Sequence, residues 1–325
     1  MSVRFCGLEL AHEVINGSGT FDAIAAREAF GEELSAGFPF AAYVSKTITL
    51  EPRSGNPPPR LWEAPGGLVN SIGLPNKGLE GYLAEDLPKL AELLGAVAAG
   101  ARESPEARGP RAVPLITNVM GSTAEAFSRL VEACDSRSEI AAVELNVSCP
   151  NVSTGLDIGA DPRVLEAVVG AVRGLTGKPL IVKLTPNTGD VGACAVAAQQ
   201  GGADAVSLIN TLQALALSPG TASRAPRQPW LGGITGGLSG PAVRAVALAQ
   251  VAQVAARVTI PVVGMGGVQN GAHARDLLDV GATLVAVGTE SFRDPAAGAR
   301  VALELGEIGA DLPVRRAQRG PQPGP

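Results

Sequence analysis

Histidine and aromatic residues are scarce in this chain of 325 residues. The sequence contains only two histidines, His12 and His273, and aromatic residues make up 3% of it. A histidine-based zinc site and a histidine-centred catalytic triad both need converging histidines, so two distant ones argue against either site. Few stacking rings, a net charge of -5 and an isoelectric point near 5.3 argue against a nucleic-acid-binding surface. The core is therefore expected to be aliphatic.

Paired cysteines and long apolar runs are also absent. Cys6, Cys134, Cys149 and Cys194 show no CxxC or other paired spacing, and the N-terminus lacks the pattern of a signal peptide. No apolar run reaches the roughly 18 residues that indicate a membrane-spanning helix. We therefore expect a cytoplasmic protein without a transmembrane segment.

Eight short apolar runs, rich in β-branched residues, alternate with segments of helical length. The runs lie at residues 14–19, 41–47, 113–119, 141–147, 179–185, 204–210, 261–267 and 283–289. The helical segments lie near residues 22–35, 78–99, 122–136, 161–175, 188–201, 241–257, 270–280 and 294–306. Eight such units predict an α/β fold, the (β/α)8 TIM barrel, which typically needs about 250 residues. An open doubly wound sheet is the alternative, because counting strands does not establish closure.

Additions to the barrel account for the remaining length. An N-terminal extension precedes the first strand, and long loops are predicted at residues 50–77, 148–159 and 212–237. Loops of this length in a compact domain are usually functional. We expect one domain over residues 1–312, followed by a disordered tail over residues 313–325, which is low in complexity.

Polar residues stand at the carboxyl ends of the predicted strands, where barrel active sites are built. Two of the five lysines, Lys46 and Lys183, end the second and fifth strands, and Asn118, Asn146 and Asn210 end the third, fourth and sixth. A single asparagine at such a position usually caps a turn. Three amides and two cations at one barrel mouth instead suit a flat heterocycle or an anionic substrate.

Three glycine clusters follow on successive loops of the barrel. They are residues 236–240, residues 264–267 and the pair Gly288–Thr289. Glycines let backbone N–H groups approach a phosphate at a helix N-terminus, which is the recurrent phosphate site of these barrels. Together the clusters favour a cofactor that carries phosphate over tight turns alone.

Cys149 differs from the other cysteines because it follows the fourth strand in a polar loop that contains proline. Cys134 and Cys194 lie in helical segments and Cys6 near the N-terminus, where cysteine is usually a small hydrophobe. A thiolate at Cys149 could act as nucleophile or proton acceptor. With no histidine near it in sequence, proton abstraction next to a carbonyl is favoured over acyl transfer.

Several segments resemble the class 1 dihydroorotate dehydrogenases, and within that class the 1B type. The resemblance spans nearly the whole barrel, from residue 18 to residue 289. Its most specific segments are residues 45–53, 55–57, 70–76, 145–151, 182–184, 208–211 and 235–241. After Phe21 the family often continues with glycines, whereas residues 22–26 here look helical.

The resemblance implies an oxidoreductase that holds FMN and oxidises (S)-dihydroorotate to orotate in de novo pyrimidine biosynthesis. It implies that the catalytic residues are Cys149 as the base, Lys46 and Lys183, with no metal. The flavin would be held by Ser18, Lys46, Thr47, Asn118, Asn146, Lys183, Ile209, Gly240, Gly266, Gly267, Gly288 and Thr289. The substrate would be held by Lys46, Asn70, Ser71, Ile72, Gly73, Leu74, Asn146, Asn210 and Thr211.

These roles fit the chemistry of the residues. Cys149 would remove the proton from C5 of dihydroorotate while C6 delivers hydride to N5 of the flavin. Lys183, near the N1/C2 carbonyl edge, would stabilise the charge of the reduced flavin. Lys46 or backbone N–H groups around Gly73 would meet the substrate carboxylate.

The 1B resemblance further implies a partner subunit that carries FAD and an iron–sulfur cluster and passes electrons to NAD⁺, in preference to fumarate as acceptor. The chain has no cysteine cluster that could ligate such a centre itself. A homodimer or heterotetramer is expected. Two alternatives remain: a flavin barrel that reduces uracil- or thymine-type pyrimidines, and a non-catalytic ligand-binding barrel.

Overall fold

Strands and helices alternate along the chain. The computed structural model describes residues 2–100, 113–148, 158–219 and 226–311. Its strands are β1 (Val3–Phe5), β2 (Leu8–Leu10), β3 (Val14–Asn16), β4 (Tyr43–Val44), β5 (Leu61–Ala64), β6 (Gly67–Asn70), β7 (Leu115–Val119), β8 (Ala142–Asn146), β9 (Leu180–Lys183), β10 (Ala205–Leu208), β11 (Leu212–Leu215), β12 (Thr235–Ser239), β13 (Val262–Met265) and β14 (Leu284–Val287).

The helices mostly follow the barrel strands. They are α1 (Ala23–Phe30), α2 (Glu32–Ala36), α3 (Gly78–Gly81), α4 (Leu87–Gly100), α5 (Ala124–Asp135), α6 (Pro162–Arg173), α7 (Val191–Gln200), α8 (Arg244–Ala255), α9 (Gly271–Asp279) and α10 (Ala297–Asp311). A π-helical segment, Tyr82–Asp86, joins α3 to α4, and short 3₁₀ turns, Pro241–Val243 and Thr289–Phe292, lie before α8 and α10. Asp22 caps α1 by accepting from the backbone N–H of Ala25, so the helix predicted after Phe21 is present.

Eight parallel strands form the central sheet in the order β3-β14-β13-β10-β9-β8-β7-β4. They coincide with the eight predicted runs, and a helix lies in each of the eight predicted helical segments. The two end strands, β3 and β4, then meet and close the sheet into a barrel. The prediction of a (β/α)8 barrel is confirmed, and the open doubly wound alternative is wrong.

Asn16 closes the barrel with its side chain. Its Nδ2 donates to the carbonyl oxygen of Val44 at 2.8 Å, and its Oδ1 accepts from the N–H of Val44 at 2.7 Å. The fully buried amide thus forms the pair of hydrogen bonds that a neighbouring strand would otherwise supply. One backbone hydrogen bond, from Ala41 N to Val14 O at 3.0 Å, adds to the seam.

Replacing Asn16 by alanine is expected to lower the free energy of unfolding by about 2–6 kcal/mol. The substitution leaves the N–H and C=O of Val44 without partners in a buried seam, at about 1–3 kcal/mol for each group. Urea unfolding would measure the loss. Asn270→Ala is the matched control, because Asn270 caps α9 at a half-buried position and should cost only about 1 kcal/mol. Equal losses in the two variants would contradict the closure role.

The barrel interior is aliphatic, as the scarcity of aromatic residues predicts. Inward-facing side chains from neighbouring strands form one apolar layer, which includes Ile15, Val44, Ile116, Ile181 and Leu284. Phe5 and Leu10 from the β1–β2 hairpin pack against this layer. The hairpin lies at the amino-terminal end of the barrel, since the Sγ of Cys6 donates to the carbonyl of Asp204, just before β10. The hairpin therefore covers the amino-terminal end, and the carboxyl-terminal end is the one that can hold the site.

Two of the predicted loops form a second sheet that the sequence analysis did not predict. Strands β11 and β12 from the 212–237 loop pair antiparallel with each other, and β12 pairs with β6 from the 50–77 loop, giving the order β11-β12-β6-β5. Both loops follow carboxyl ends of barrel strands, so this small sheet stands at the mouth. Residues 149–157 of the third loop and the predicted tail 313–325 lie outside the described residues, and the domain boundary at residue 312 stays a prediction.

A membrane-spanning helix would have to be both long and apolar, and none of the described helices meets those two conditions.

Candidate active site

A polar layer lies directly above the apolar layer of the barrel. Side chains on a strand alternate between its two faces, so the residues two positions beyond Ile116, Ala142, Ile181 and Ala205 again point inward. These residues are Asn118 on β7, Glu144 on β8, Lys183 on β9 and Ser207 on β10. All four are at least 95% buried. The barrel therefore carries a cation, a carboxylate, an amide and a hydroxyl at its carboxyl-terminal end.

Lys183 is the least satisfied member of this layer. Its side chain is only 5% exposed, and no described residue forms a hydrogen bond or ion pair with its ammonium group. Its backbone carbonyl accepts a hydrogen bond from Ser148 Oγ at 3.2 Å, which keeps the start of the following loop beside β9. A buried cation without a partner is costly, so the position fits a ligand that brings negative charge or carbonyl oxygens.

Asn118 and Glu144 form a short network across the interior. The Nδ2 of Asn118 donates to Oε2 of Glu144, and Ser207 Oγ donates to Oε1 of the same carboxylate at 2.6 Å. The other side of the Asn118 amide, its Oδ1, is buried without a hydrogen-bond partner. Buried acceptors are normally satisfied, so this atom also fits a bound ligand.

Three of the residues assigned to the flavin meet between β3, β4 and β8. The Nδ2 of Asn146 donates to Thr47 Oγ1 at 3.3 Å, and the hydroxyls of Ser18 and Thr47 are 3.4 Å apart. Ser18 Oγ also donates to the carbonyl of Ser45 at 2.8 Å. The strand ends thus bring together residues that are up to 128 positions apart in the chain.

The glycine clusters meet at a second place on the mouth. Gly240, Gly267 and Thr289 line one small pocket, although they come from three different loops. Gly240, Gly266 and Gly267 have φ of +88°, +131° and +70°, which side-chain-bearing residues rarely adopt. A Cβ on Gly267 would also lie 2.9 Å from the carbonyl oxygen of Gly240. The bare backbone is therefore required here, and it lets N–H groups face a phosphate.

The small sheet brings together residues assigned to the substrate. Asn70, at the end of β6, donates from Nδ2 to the carbonyl of Gly237 on β12 at 3.2 Å. A Cβ on Gly237 would lie 1.9 Å from Thr211 Oγ1, so β12 passes directly against Thr211. Asn210 accepts from the N–H of Thr211 through its own Oδ1 at 2.9 Å. Ser71, Ile72, Gly73 and Leu74 continue the chain directly after β6.

Lys46 lines a cavity of about 570 Å³ that also borders the carboxyl end of β4. This cavity is also lined by Gly19, Thr47, Arg53 and Tyr82, and the side chain of Lys46 is exposed. Lys183 is not in its wall. The two lysines therefore have different surroundings, since the Lys46 side chain is exposed and that of Lys183 is buried.

The chain is similar to known proteins over almost its whole length. A family model described as dihydroorotate dehydrogenase matches residues 1–308. The chain belongs to the dihydroorotate dehydrogenase family. It is 41% identical over 315 residues to the "Dihydroorotate dehydrogenase B (NAD(+)), catalytic subunit" of Geobacter sulfurreducens, which covers 96% of this chain and 93% of that one. The protein of the same name from Desulforudis audaxviator is 40% identical over 318 residues, covering 97% and 94%.

Three polar residues at or beside the site were not predicted from the sequence: Glu144, Ser207 and Asn187. Asn187 links the end of β9 to β11, because its Nδ2 donates to the carbonyl of Thr211 at 3.0 Å and its Oδ1 accepts from Gln213 N at 2.9 Å. Glu144 could have been found, since it lies two positions before Asn146 on a strand and therefore on the same face. The predicted base, Cys149, lies outside the described residues.

Proposed function

We propose that this member of the dihydroorotate dehydrogenase family holds FMN and oxidises (S)-dihydroorotate to orotate, a step of de novo pyrimidine biosynthesis. The observation that carries the proposal is the largely buried side chain of Lys183 at the barrel mouth, whose ammonium group no described residue pairs with. The unpartnered Oδ1 of Asn118 and the positive-φ glycines Gly240 and Gly267, which line one small pocket, support it. A flavin mononucleotide offers a polar ring edge and a phosphate to these groups.

Three sets of residues would hold the cofactor. Lys183, Asn118 and Asn146 would contact the ring, and Ser18 and Thr47 would flank it. The phosphate end would be held by Gly240, Gly266, Gly267, Gly288 and Thr289. Ile209 and Lys46 complete the set of flavin-binding residues. When bound, FMN would accept the hydride that leaves C6 of the substrate. Lys183 would place a fixed positive charge where negative charge develops, in a site that needs no solvent reorganisation.

Cys149 would remove the proton from C5 of dihydroorotate. It follows Ser148, whose hydroxyl is tied to the backbone of Lys183, so the loop begins beside the polar layer. The substrate would be oriented by amides and backbone groups of Asn70, Ser71, Ile72, Gly73, Leu74, Asn146, Asn210 and Thr211, with Lys46 meeting its carboxylate. The small sheet would help to exclude water from the reaction.

The electron acceptor and the assembly are part of the proposal. The names of the relatives contain "NAD(+)" and "catalytic subunit", which supports a partner subunit and NAD⁺ as the acceptor. We propose that the partner carries FAD and an iron–sulfur cluster, as the resemblance to the 1B type implies. We propose that this chain works in the cytoplasm as a homodimer or within a heterotetramer of that kind.

The purified chain is expected to be yellow, and anaerobic dihydroorotate should bleach the flavin absorbance. Dihydrouracil lacks the carboxylate that Lys46 and the segment around Gly73 would bind, so it should bleach the flavin far more slowly. Absorbance in an anaerobic cuvette measures both reactions. A folded but colourless protein that takes up no added FMN would contradict the cofactor, and faster bleaching by dihydrouracil would favour the uracil-type alternative.

A further inference from the structure

The carboxylate of Glu144 lies inside the barrel with only neutral partners. Its side chain is 4% exposed, and in the described chain no lysine or arginine forms an ion pair with it. Its hydrogen bonds come from the amide of Asn118 and the hydroxyl of Ser207. Burying a carboxylate costs free energy that only its hydrogen bonds can offset, whereas an apolar side chain of similar size would suffice for packing.

Glu144 determines which way the Asn118 amide faces. The two ends of an asparagine amide have nearly the same shape, so packing alone does not distinguish them. The Oε2 of Glu144 accepts from the Nδ2 of Asn118, so the amide presents its NH₂ group to Glu144. Ser45 Oγ accepts from the backbone N–H of Asn118 at 3.1 Å, which holds the strand position of the residue. The Oδ1 of Asn118 therefore faces away from Glu144.

That oxygen is the buried Oδ1 without a partner. A buried acceptor left without a hydrogen bond is destabilising, and only a donor can satisfy it. The oxidised flavin ring carries a single N–H group, at N3 of its pyrimidine part. A flipped amide would instead set its own NH₂ against that N–H, which is an unfavourable pairing of two donors.

We propose that Glu144 is a positioning residue for the flavin: it holds the Asn118 amide so that Oδ1 accepts from the ring N–H. Ser207 holds the second oxygen of the carboxylate and so keeps Glu144 in place. The inference rests on the proposed function, since it requires that FMN is the ligand. It assigns to this buried acid a role in cofactor recognition that involves no contact with the cofactor.

Titration of the apoprotein with FMN and with 3-methyl-FMN, which lacks the N–H, tests the inference through flavin fluorescence. The wild type should bind FMN at least tenfold more tightly than 3-methyl-FMN. Glu144→Leu, which removes the acceptor and frees the amide, should weaken FMN by about 10- to 100-fold. It should weaken 3-methyl-FMN much less, so that the preference largely disappears.

Glu144→Gln is the matched variant, because its amide oxygen can still accept from Asn118. It should keep most of the wild-type preference for FMN. Ser207→Ala is a second variant, since it removes the other hydrogen bond on Glu144, and it should reduce the preference in part. It also serves as the test if Glu144→Leu does not fold.

Each outcome decides between the claims. Wild-type protein that binds neither flavin would show that the proposed function itself is wrong. If the wild type binds FMN but shows no preference over 3-methyl-FMN, or if the folded variants weaken both flavins equally, the positioning role is overturned. The second pattern is what a merely structural role for Glu144 would produce.

Discussion

Replacing Cys149 by alanine is expected to lower the rate of flavin reduction by dihydroorotate by about 10²- to 10⁴-fold, the usual contribution of a general base. No histidine is expected to replace Cys149 at the end of β8, because His12 precedes β3 at the other end of the barrel and His273 lies on α9 beside Gly267. FMN affinity should stay within about twofold, since the thiol is not needed to hold the cofactor. Anaerobic stopped-flow absorbance measures the reduction, and fluorescence titration measures FMN binding.

Two further cysteine variants sharpen this test. In Cys149→Ser the hydroxyl ionises far less readily than a thiol, so part of the rate should return only as the pH is raised. Cys6→Ala is the matched control at the opposite end of the barrel, where burial and the nearby Asp204 raise the pKa of the Cys6 thiol to about 11. Its reduction rate should equal that of the wild type. If Cys149→Ala reduced its flavin at the wild-type rate across pH, the base would have to be another residue.

Replacing Lys183 by methionine is expected to lower the flavin reduction rate by about 10²- to 10³-fold and to make the flavin potential more negative. The side chain at the end of β9 is largely buried and its ammonium has no protein partner among the described residues, so its charge is available to the ligand. Removing one preorganised electrostatic group of this kind typically lowers the reaction rate by about 10²- to 10³-fold. A spectroelectrochemical titration measures the potential, and anaerobic mixing with dihydroorotate measures the rate.

Lys89→Met is the control for Lys183→Met, because Lys89 on α4 is exposed and its charge is screened by water. Its potential and rate should match those of the wild type. The folded Lys183→Met protein should be at least as stable as the wild type, since an unpaired buried charge has been removed. An unchanged potential and rate in Lys183→Met would show that its ammonium does not act on the flavin.

The barrel strands could be predicted because each carries its own signal. A short β-branched apolar run followed by a helical segment of about a dozen residues indicates a βα unit whatever lies elsewhere in the chain. The small sheet has no such local signal. Strand β12 pairs with β6 in the register Gly237↔Asn70, and the glycines of β12 have no β propensity of their own. The lack of side chains at these glycines is needed only because Asn70 and Thr211 pack directly against them in the folded protein.

The site divides in the same way. Lys183, Asn118 and Asn146 could be proposed from the sequence because polar residues at the ends of apolar strands are unusual and parallel strands align their carboxyl ends. Glu144 shares a strand face with Asn146 and could have been found by that spacing, whereas the polar character of Ser207, within β10, gives no signal until its partner Glu144 is known. The cavity at Lys46 likewise depends on how α1 and the Tyr82–Asp86 segment pack.

The sequence by itself determined the barrel units, the polar strand ends and the family resemblance, because these depend on local periodicity and on residues close together in the chain. Only the tertiary structure decided how the barrel closes, through the side chain of Asn16 on Val44, and which way Asn118 faces, through Glu144. Both are hydrogen bonds between residues more than 25 positions apart. Their strength depends on exclusion from water, which no single segment can arrange.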